Sequence, residues 1–203
     1  MAFDARFTLT LLLVLACAAR TLAAPSPAER ETARSLMVDG DRLRSAGDLQ
    51  SALARYQAAH AIMNVPTTGL ALAETQAALG LLVEARGTAL LVTGLPAAET
   101  EPGVFVSARR SAAALAVKLE PRVCILETTV TPANAGYSLR IDGSEVPSAA
   151  RALPFRLNPG THTLRIAAIG YSTEERELVL REGATERLYV MLEAEPAKQA
   201  STP

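Results

Sequence analysis

The spacing of apolar residues changes once along the chain, close to Pro121. Before this point, Ala- and Leu-rich segments repeat their apolar positions at roughly every third or fourth residue, which is typical of amphipathic helices. After it, apolar and polar residues alternate, and Gly and Pro mark regular turns. Such alternation predicts strands whose two faces meet different environments. The pattern therefore predicts an α+β protein, with a helical domain over residues 25–120 and a β-sandwich domain over residues 121–193.

The helical half contains an internal repeat. Segment 46–59 (AGDLQSALARYQAA) aligns with segment 79–92 (LGLLVEARGTALLV) at an offset of 33 residues, which pairs Gly47 with Gly80. Each glycine falls between two helical stretches, where the end of a helix favours a residue that adopts a positive φ. The repeat therefore predicts two helix–turn–helix units, each of which turns at its glycine.

Two pairs of helices and a fifth, single helix account for the helical half. Ala52 and Ala85 fall at equivalent positions of the two units, where one helix presses against the other and only a small side chain fits. Residues 64–66 (Asn-Val-Pro) break the pattern between the pairs, since a proline pushes the preceding residue out of the helical region. A helix over residues 102–119 is expected to cap the open end, because one pair cannot bury its apolar face alone.

The order of small and large residues in the first unit resembles a tetratricopeptide (TPR) repeat. The positions that carry the resemblance are Gly40, Leu43, Gly47, Ala52, Tyr56 and Ala59. The second unit, residues 67–97, departs from the family at Gln76 and Ala89, which replace larger apolar residues. The resemblance implies an array of antiparallel helix pairs, each of about 34 residues, in which the first helix of each pair lines a groove.

This resemblance places candidate binding residues on the first helix of each pair. By register they are Arg34, Met37, Asp41 and Arg44 from the first pair, and Leu70 and Glu74 from the second. Arg34 and Arg44 are expected to hold a carboxylate of a partner through charge-assisted hydrogen bonds. The alternative is that all six are ordinary solvated residues of helix surfaces.

The β half is expected to hold seven short strands. Asp142-Gly143 joins two of them as a two-residue hairpin turn, because both positions of a type I′ turn require a positive φ. Regular turns between short alternating strands favour a sandwich of two sheets. The expected strands cover residues 122–130, 137–142, 144–147, 153–157, 161–168, 173–181 and 185–193.

The spacing of turns in this half resembles the PEGA domain, a small bacterial and archaeal β module. The resemblance covers about residues 120–193, although Pro-Ala-Asn-Ala-Gly at 132–136 stands where the family has Pro-Glu-Gly-Ala. It implies a prealbumin-like or carboxypeptidase-regulatory-like sandwich, an architecture of accessory modules rather than of catalysts. The other matching pieces are Asp142-Gly143, Leu153-Pro154-Phe155, Asn158-Pro159-Gly160-Thr161-His162 and Gly170-Tyr171.

His162, one of only two histidines, stands just after a Pro-Gly pair. Strand parity places it on the same face as Leu164 and Ile166, so it is expected to point towards the core at the end of its strand. A histidine in that position more often satisfies a backbone carbonyl than works as a base. Structural turns are expected at Gly47, Gly80, Asp142, Gly143, Pro159, Gly160 and Gly170.

An apolar run near the N-terminus predicts export. Residues 7–19 are largely apolar, and Arg6 precedes them. The run is shorter than the roughly 20 residues that a helix needs to cross a bilayer, so it indicates a secretory signal peptide over residues 1–24. Val-Leu-Ala-Cys at 14–17 also resembles a bacterial lipobox, in which Cys17 is lipidated and becomes the first mature residue. Both alternatives send the protein to the periplasm or cell envelope, the second as an outer-membrane lipoprotein.

Composition and charge argue against several partners. The chain has 20 Lys and Arg against 21 Asp and Glu, without a basic stripe to follow a phosphate backbone, so nucleic acid is not expected. Trp is absent and aromatic residues make up 4%, so stacking platforms are scarce. Once Cys17 is removed or lipidated, Cys124 is the one remaining cysteine, so no intramolecular disulfide can form. We expect Cys124 to act as a small buried hydrophobic residue. Residues 194–203 are typical of a disordered tail.

No constellation in the sequence indicates catalysis, a cofactor or a metal. Asp39-Gly40-Asp41 begins like a calcium loop, but Leu43 stands at its fifth position and Gln50 at its twelfth, where oxygen ligands are needed. HExxH, paired CxxC and GxSxG motifs are all missing from the sequence. The remaining polar candidates are expected on surfaces or boundaries, namely His60, Glu174, Glu175 and Glu177.

The combination of an export signal, a short TPR-like array and a PEGA-like sandwich resembles a group of exported proteins from bacteria such as myxobacteria. It implies no activity, so we expect a non-enzymatic adaptor or scaffold of the cell envelope. The array would bind a protein partner and the sandwich would act as a docking module. The alternative is a protein that binds carbohydrate, peptidoglycan or a surface layer through the sandwich. Neither interpretation includes a transmembrane span, and lipidation at Cys17 would supply a lipid anchor.

Envelope fractionation with mass spectrometry of the N-terminal peptide tests the export prediction. We expect the protein in the envelope fraction, beginning either at a lipid-modified Cys17 or close to residue 25. Because lipidation requires the thiol, Cys17→Ser releases the protein from the membrane if the protein is a lipoprotein, and it changes nothing if residues 1–24 are an ordinary signal peptide. An intact N-terminus recovered from the cytoplasm would contradict both.

Overall fold

The computed structural model describes residues 24–195, and this part of the chain is α+β: five helices precede a region of two small sheets. The α+β class predicted from the sequence is confirmed. Residues 1–23 of the predicted signal segment, with Cys17, lie outside the described residues. Within residues 24–195, no helix is both long and apolar enough to span a membrane. The helices are α1 (Pro27–Ser45), α2 (Leu49–Met63), α3 (Pro66–Ala78), α4 (Leu82–Gly94) and α5 (Gly103–Leu119).

Local capping explains where helices begin and end. Ser26 and Glu29 form a capping box, in which each side chain accepts a hydrogen bond from the other residue's backbone amide, at the start of α1. After α1 and α3, Gly47 and Gly80 have φ angles of 82° and 79°. Backbone hydrogen bonds reach back across each glycine to close the last helical turn. The structure therefore places both glycines at the turns where the repeat requires them.

Small residues let the helices approach closely. Tyr56 of α2 is fully buried, and a Cβ added at Gly40 of α1 would lie 2.6 Å from its ring, well inside the distance at which carbon atoms pack. A Cβ added at Gly69 of α3 would likewise clash with Val92 of α4. The alanines buried at the helix contacts are Ala33, Ala52, Ala59, Ala73, Ala85, Ala89, Ala108, Ala112 and Ala116.

A buried ion pair fixes α5 against the end of α4. The Arg109 guanidinium, on α5, pairs with Glu101 at 3.1 Å, and both side chains are largely buried. It also donates hydrogen bonds to the carbonyls of Val92, Leu95 and Pro96. Carbonyls at the end of a helix have no partner within the helix, so Arg109 satisfies them from the neighbouring element.

Seven strands form the two sheets. One sheet has the order β4-β1-β7 and the other β3-β2-β5-β6. Neighbouring strands are antiparallel except for β1 and β7, which run parallel. The strands are β1 (Cys124–Thr131), β2 (Tyr137–Ile141), β3 (Ser144–Glu145), β4 (Phe155–Leu157), β5 (Gly160–Ala168), β6 (Glu174–Leu180) and β7 (Thr185–Met191).

Alternate residues of these strands fill one core between the two sheets. Leu126 of β1 belongs to the same buried cluster as Leu139 of β2 and Leu164 of β5. Since β1 lies in one sheet and β2 and β5 lie in the other, the sheets face each other as a sandwich. The further buried members of this core are Val130, Ile141, Val146, Ile166, Val190 and Leu192.

The predicted turn residues of the β half have the backbone that their positions require, with one shift. Asp142 and Gly143 have φ angles of 49° and 78°, and Gly170 has 80°. Gly160, expected in the turn before the strand, is instead the first residue of β5 and pairs with Leu180 at a φ of 133°. The Pro-Gly turn is therefore one residue shorter than the sequence indicated.

The ends of several other elements differ from the sequence-based boundaries. Residues 120–122 form a short 3₁₀ turn, so β1 begins at Cys124 instead of residue 122. Pro147 follows β3 closely and cannot donate to a sheet ladder, which limits that strand to two residues. Leu153 lies outside β4 and is 60% exposed.

The expectation of a tail from residue 194 is wrong for its first two residues. Ala194 pairs with Tyr171 in an isolated bridge, and the Glu195 amide donates a hydrogen bond to the Gly170 carbonyl. The turn at Gly170 leaves backbone groups that need partners, and these two residues supply them. The rest of the predicted tail lies outside the described residues.

Replacement of Tyr56 tests the packing of the helical half. Tyr56→Ala empties a fully buried ring position, and we expect it to lower the free energy of unfolding by about 3–5 kcal/mol. Tyr56→Phe keeps the ring and loses only the 2.6 Å hydrogen bond to Asp41, which we expect to cost about 1 kcal/mol. Urea titrations followed by circular dichroism measure both. Equal losses in the two variants would contradict the assigned role of the ring.

Candidate functional site

An open groove crosses one face of the helical half, between α1, α3 and α5. Its volume is about 650 Å³, within the usual range for ligand clefts. Arg44 of α1 stands at one side, Leu70 and Glu74 of α3 form the centre, and α5 provides the other side. The remaining residues of the lining are Thr67, Ala71, Gly103, Val104, Ser107, Ala108 and Ser111.

The charges at the groove already have partners within the protein. Arg44 lies 3.1 Å from Glu74 and 3.8 Å from Asp41, and its guanidinium carbon lies 5.8 Å from the centre of the Tyr56 ring. The Tyr56 hydroxyl donates to Asp41 at 2.6 Å. These four side chains connect α1, α2 and α3 and carry one net negative charge. The charged members are about half exposed, so their ion pairs add little stability and exchange readily.

The six groove residues predicted from the sequence separate into two groups. Met37 packs against the buried cluster that contains Tyr56. Arg34 pairs with Glu31 and lies ten positions before Arg44 on α1, a distance of about 15 Å along the helix. The sequence-based prediction that Arg34 and Arg44 hold one carboxylate together is therefore wrong. Those that line the groove are Arg44, Leu70 and Glu74, with Asp41 beside Arg44.

The contribution of α5 to the groove was missed from the sequence. This helix was expected to cap the array, and it packs against both α3 and α4. Val104, Ser107 and Ser111 line the groove, and Val104 is 63% exposed. Their spacing places them on one helix face, next to the stripe that includes the buried Ala112 and Ala116. The spacing of these three residues was the feature of the sequence from which the contribution of α5 to the groove could have been predicted.

In the β half, His162 is buried and makes two hydrogen bonds. Its Nδ1 lies 2.7 Å from an Asp142 carboxylate oxygen, and its Nε2 lies 2.8 Å from the Asn158 carbonyl. Both partners are acceptors, so a ring that carries both protons satisfies them together. Burial disfavours the charged ring, but the two hydrogen bonds outweigh it and raise the pKa of His162. With both nitrogens engaged, the ring supports the scaffold, as strand parity indicated.

Asn158 extends this contact to the helical half. Its side-chain oxygen accepts a hydrogen bond of 2.8 Å from the Val83 amide, and its side-chain nitrogen donates one of 2.8 Å to Glu84. Val83 lies in the first turn of α4, where backbone amides have no partner within the helix. Asn158 therefore caps α4 from the other half of the protein. Sequence reasoning placed Asn158 only in a turn motif, because a cap supplied by a distant residue has no local signature.

Of the other polar candidates, Cys124, His60, Asp39 and Glu174 have partners within the protein, and Glu175 and Glu177 are exposed. Cys124 is buried and its thiol lies 3.0 Å from the Arg181 carbonyl. His60 is half-buried at 2.9 Å from the Thr68 hydroxyl, and burial lowers its pKa. Asp39 pairs with arginines. Within residues 24–195, no three His, Cys, Asp or Glu side chains are grouped so that they could hold a metal ion.

The pH dependence of stability tests the His162 contact. Because the pKa of His162 is raised on folding, its contribution is fully present below the unfolded-state pKa of about 6.5 and is lost as pH rises through the folded-state pKa. We expect the difference in unfolding free energy between the wild type and His162→Gln to shrink as pH rises above about 6.5.

His60 titrates in the opposite sense, since its pKa is lowered by burial and its contribution falls as pH falls. Both chains of the comparison should therefore carry His60→Gln, so that one histidine titrates in the reference and none in the variant. Urea denaturation over a series of pH values gives the difference directly. A difference that does not change with pH would show that folding leaves the pKa of His162 unshifted, and a difference that falls as pH falls would show that the folded ring stays neutral.

No protein-family model matches the chain, and no curated protein matches it either. The resemblances to the TPR and PEGA families therefore rest on the residues that carry them.

Proposed function

We propose that the protein is a non-enzymatic adaptor of the cell envelope, which holds a segment of a partner protein in the groove between α1, α3 and α5. The observation that carries this proposal is the groove itself. It is open along one face, and three helices that are not consecutive in the chain line it. This is the surface that a TPR-type array offers to a partner, and α5 then begins a third unit of that array.

The lining of the groove suits a peptide segment. Leu70 and the exposed Val104 offer apolar contact, and the hydroxyls of Ser107 and Ser111 offer hydrogen bonds. Small side chains along α5 leave room for the backbone of the partner. Buried apolar anchors supply most of the affinity of such interfaces, and polar groups around them supply orientation.

The charges of the groove favour a basic partner segment. Asp41 and Glu74 share the single cation of Arg44, so the cluster keeps one net negative charge. An arginine or lysine of the partner would neutralise the extra negative charge by pairing with whichever of the two carboxylates is not paired with Arg44. We therefore propose that the segment carries an apolar side chain for Val104 and a basic residue for Glu74.

The residues of the groove support binding in preference to catalysis. Among the described residues that line it, none is a histidine or a cysteine, and a hydroxyl needs an adjacent base to act as a nucleophile. The β half, as a PEGA-like sandwich, serves in this proposal as the docking module. The apolar run before residue 24 supports the envelope as the location, with Cys17 as a lipid anchor or as part of a removed signal.

Photo-crosslinking from α5 tests the groove with a matched control on the same helix. Val104 faces the groove, whereas Val117 is 71% exposed and does not line it. We expect a photoreactive residue at position 104 to capture a defined envelope protein that mass spectrometry identifies, and one at position 117 not to capture it. Crosslinked peptides with an apolar residue close to a basic one support the proposal.

Glutamate substitutions at the same positions measure the contribution of the groove to affinity. Val104→Glu replaces an apolar contact with a carboxylate that the apolar side chain of the partner cannot pair with, so we expect binding of the captured partner to weaken by about tenfold or more. Val117→Glu adds the same charge elsewhere on α5 and should leave the affinity unchanged. Equal affinities of the two variants, or capture of the same proteins from both positions, would refute the groove assignment.

A further inference from the structure

A row of charged residues crosses the outer face of the four-stranded sheet. The strand register places Arg140 of β2 opposite Arg165 of β5. Glu145 of β3 stands opposite Arg140 at one end of the row, and Glu175 of β6 stands opposite Arg165 at the other. All four residues are exposed. Two cations therefore meet at the centre of this face, where directly opposed like charges destabilise a sheet.

The two central arginines have no partner within the described residues. Neither guanidinium lies within 4.0 Å of a carboxylate, and neither makes a side-chain hydrogen bond, in residues 24–195. The outer face of the other sheet shows the contrast. There Arg187 stands opposite Glu127 in the register and pairs with it at 2.8 Å. Glu145 stands opposite Arg140 and Glu175 stands opposite Arg165 in the same way, yet neither arginine pairs with the carboxylate opposite it.

A hollow lies between the two arginine side chains. Its volume is about 320 Å³, and the small residues Ser138 and Ala167 form part of its lining. These two residues pair with each other across β2 and β5, and their short side chains leave space beside the long arginines. The hollow is near the lower end of the range for small-molecule clefts, which suits an anionic group carried on a unit the size of one sugar.

We propose that this hollow, here called the Arg140–Arg165 cleft, binds a phosphate monoester. Guanidinium groups form strong, charge-assisted hydrogen bonds with phosphate oxygens. A phosphate monoester carries about −1.5 to −2 charges near neutral pH and presents three acceptor oxygens, so one ligand accepts from both arginines and neutralises them. A carboxylate has two oxygens and one charge, and it would leave one arginine unmatched. The cleft lies in the β half, separate from the groove, and does not depend on the proposed function.

Glu145 limits the affinity of the cleft. It lines the hollow, and its charge repels an incoming phosphate while it competes for Arg140. Its removal should therefore strengthen binding, which is the opposite of what a structural role for Glu145 predicts. Arg156, also exposed but on a strand of the other sheet, serves as the matched control arginine.

Calorimetric titration of the protein with glucose 1-phosphate, at low and at higher salt, is the first test. We expect Arg140→Gln and Arg165→Gln each to weaken binding by about tenfold or more, Arg156→Gln to leave it unchanged, and Glu145→Gln to strengthen it. Binding should also weaken as salt increases. Thermal unfolding of each variant verifies that the exposed substitutions leave the fold intact.

The same phosphate chemistry occurs on lipid headgroups, so a second arm of the test uses vesicles. Phosphatidylcholine vesicles with and without phosphatidic acid are sedimented with the wild type, the double variant Arg140→Gln/Arg165→Gln and Arg156→Gln. Binding to glucose 1-phosphate assigns the cleft to soluble phosphate esters. Sedimentation with the vesicles that contain phosphatidic acid, without binding to glucose 1-phosphate, assigns it to a membrane surface. If neither probe binds, or if Arg156→Gln loses as much binding as the cleft variants, the proposal is wrong.

Discussion

The helical half depends on how closely its helices approach one another. Gly40 allows the Tyr56 ring to lie against the backbone of α1, and Gly69 allows α3 to lie against Val92 of α4. A methyl group at either glycine would force two helices apart. Alanine fills most of the other contacts, and each alanine buries little apolar area by itself. Close packing along whole helices therefore supplies the stability that large side chains supply in other cores.

Stacking follows from this constraint, and the groove follows from stacking. Helices with narrow, alanine-rich contact faces must pack against several neighbours, and α3 accordingly contacts α2, α4 and α5. Such stacking leaves the faces of α1, α3 and α5 side by side on one surface. The second unit also shows the limits of the pattern, since Gln76 is buried with its side-chain oxygen lacking a partner in the described residues. A buried acceptor of this kind costs about 1–3 kcal/mol.

The sequence predicted features that depend on neighbouring residues and missed those that depend on distant ones. The positive φ angles at Gly47 and Asp142 follow from local turn chemistry, and the buried Ala52 follows from helical periodicity. Met37 illustrates the other case, because periodicity gives its helix face but cannot say that a second helix covers it. Asn158 is similar, since its role as a cap requires Val83 from the other half of the chain. The parallel pairing of β1 with β7 also joins the two ends of the sandwich and has no local signal.

The two candidate binding surfaces differ in how the protein treats its own arginines. Arg44 in the groove is half-exposed and already compensated by Glu74 and Asp41, so a ligand there must replace existing contacts and gains most from apolar anchors. Arg140 and Arg165 on the sheet are exposed and uncompensated within the described residues, so an anion there gains the whole electrostatic interaction and also removes a repulsion between strands. The first arrangement favours recognition of a peptide by shape, and the second favours recognition of a small ligand by charge. If both proposals hold, one chain connects a protein partner with a phosphate-bearing surface or solute.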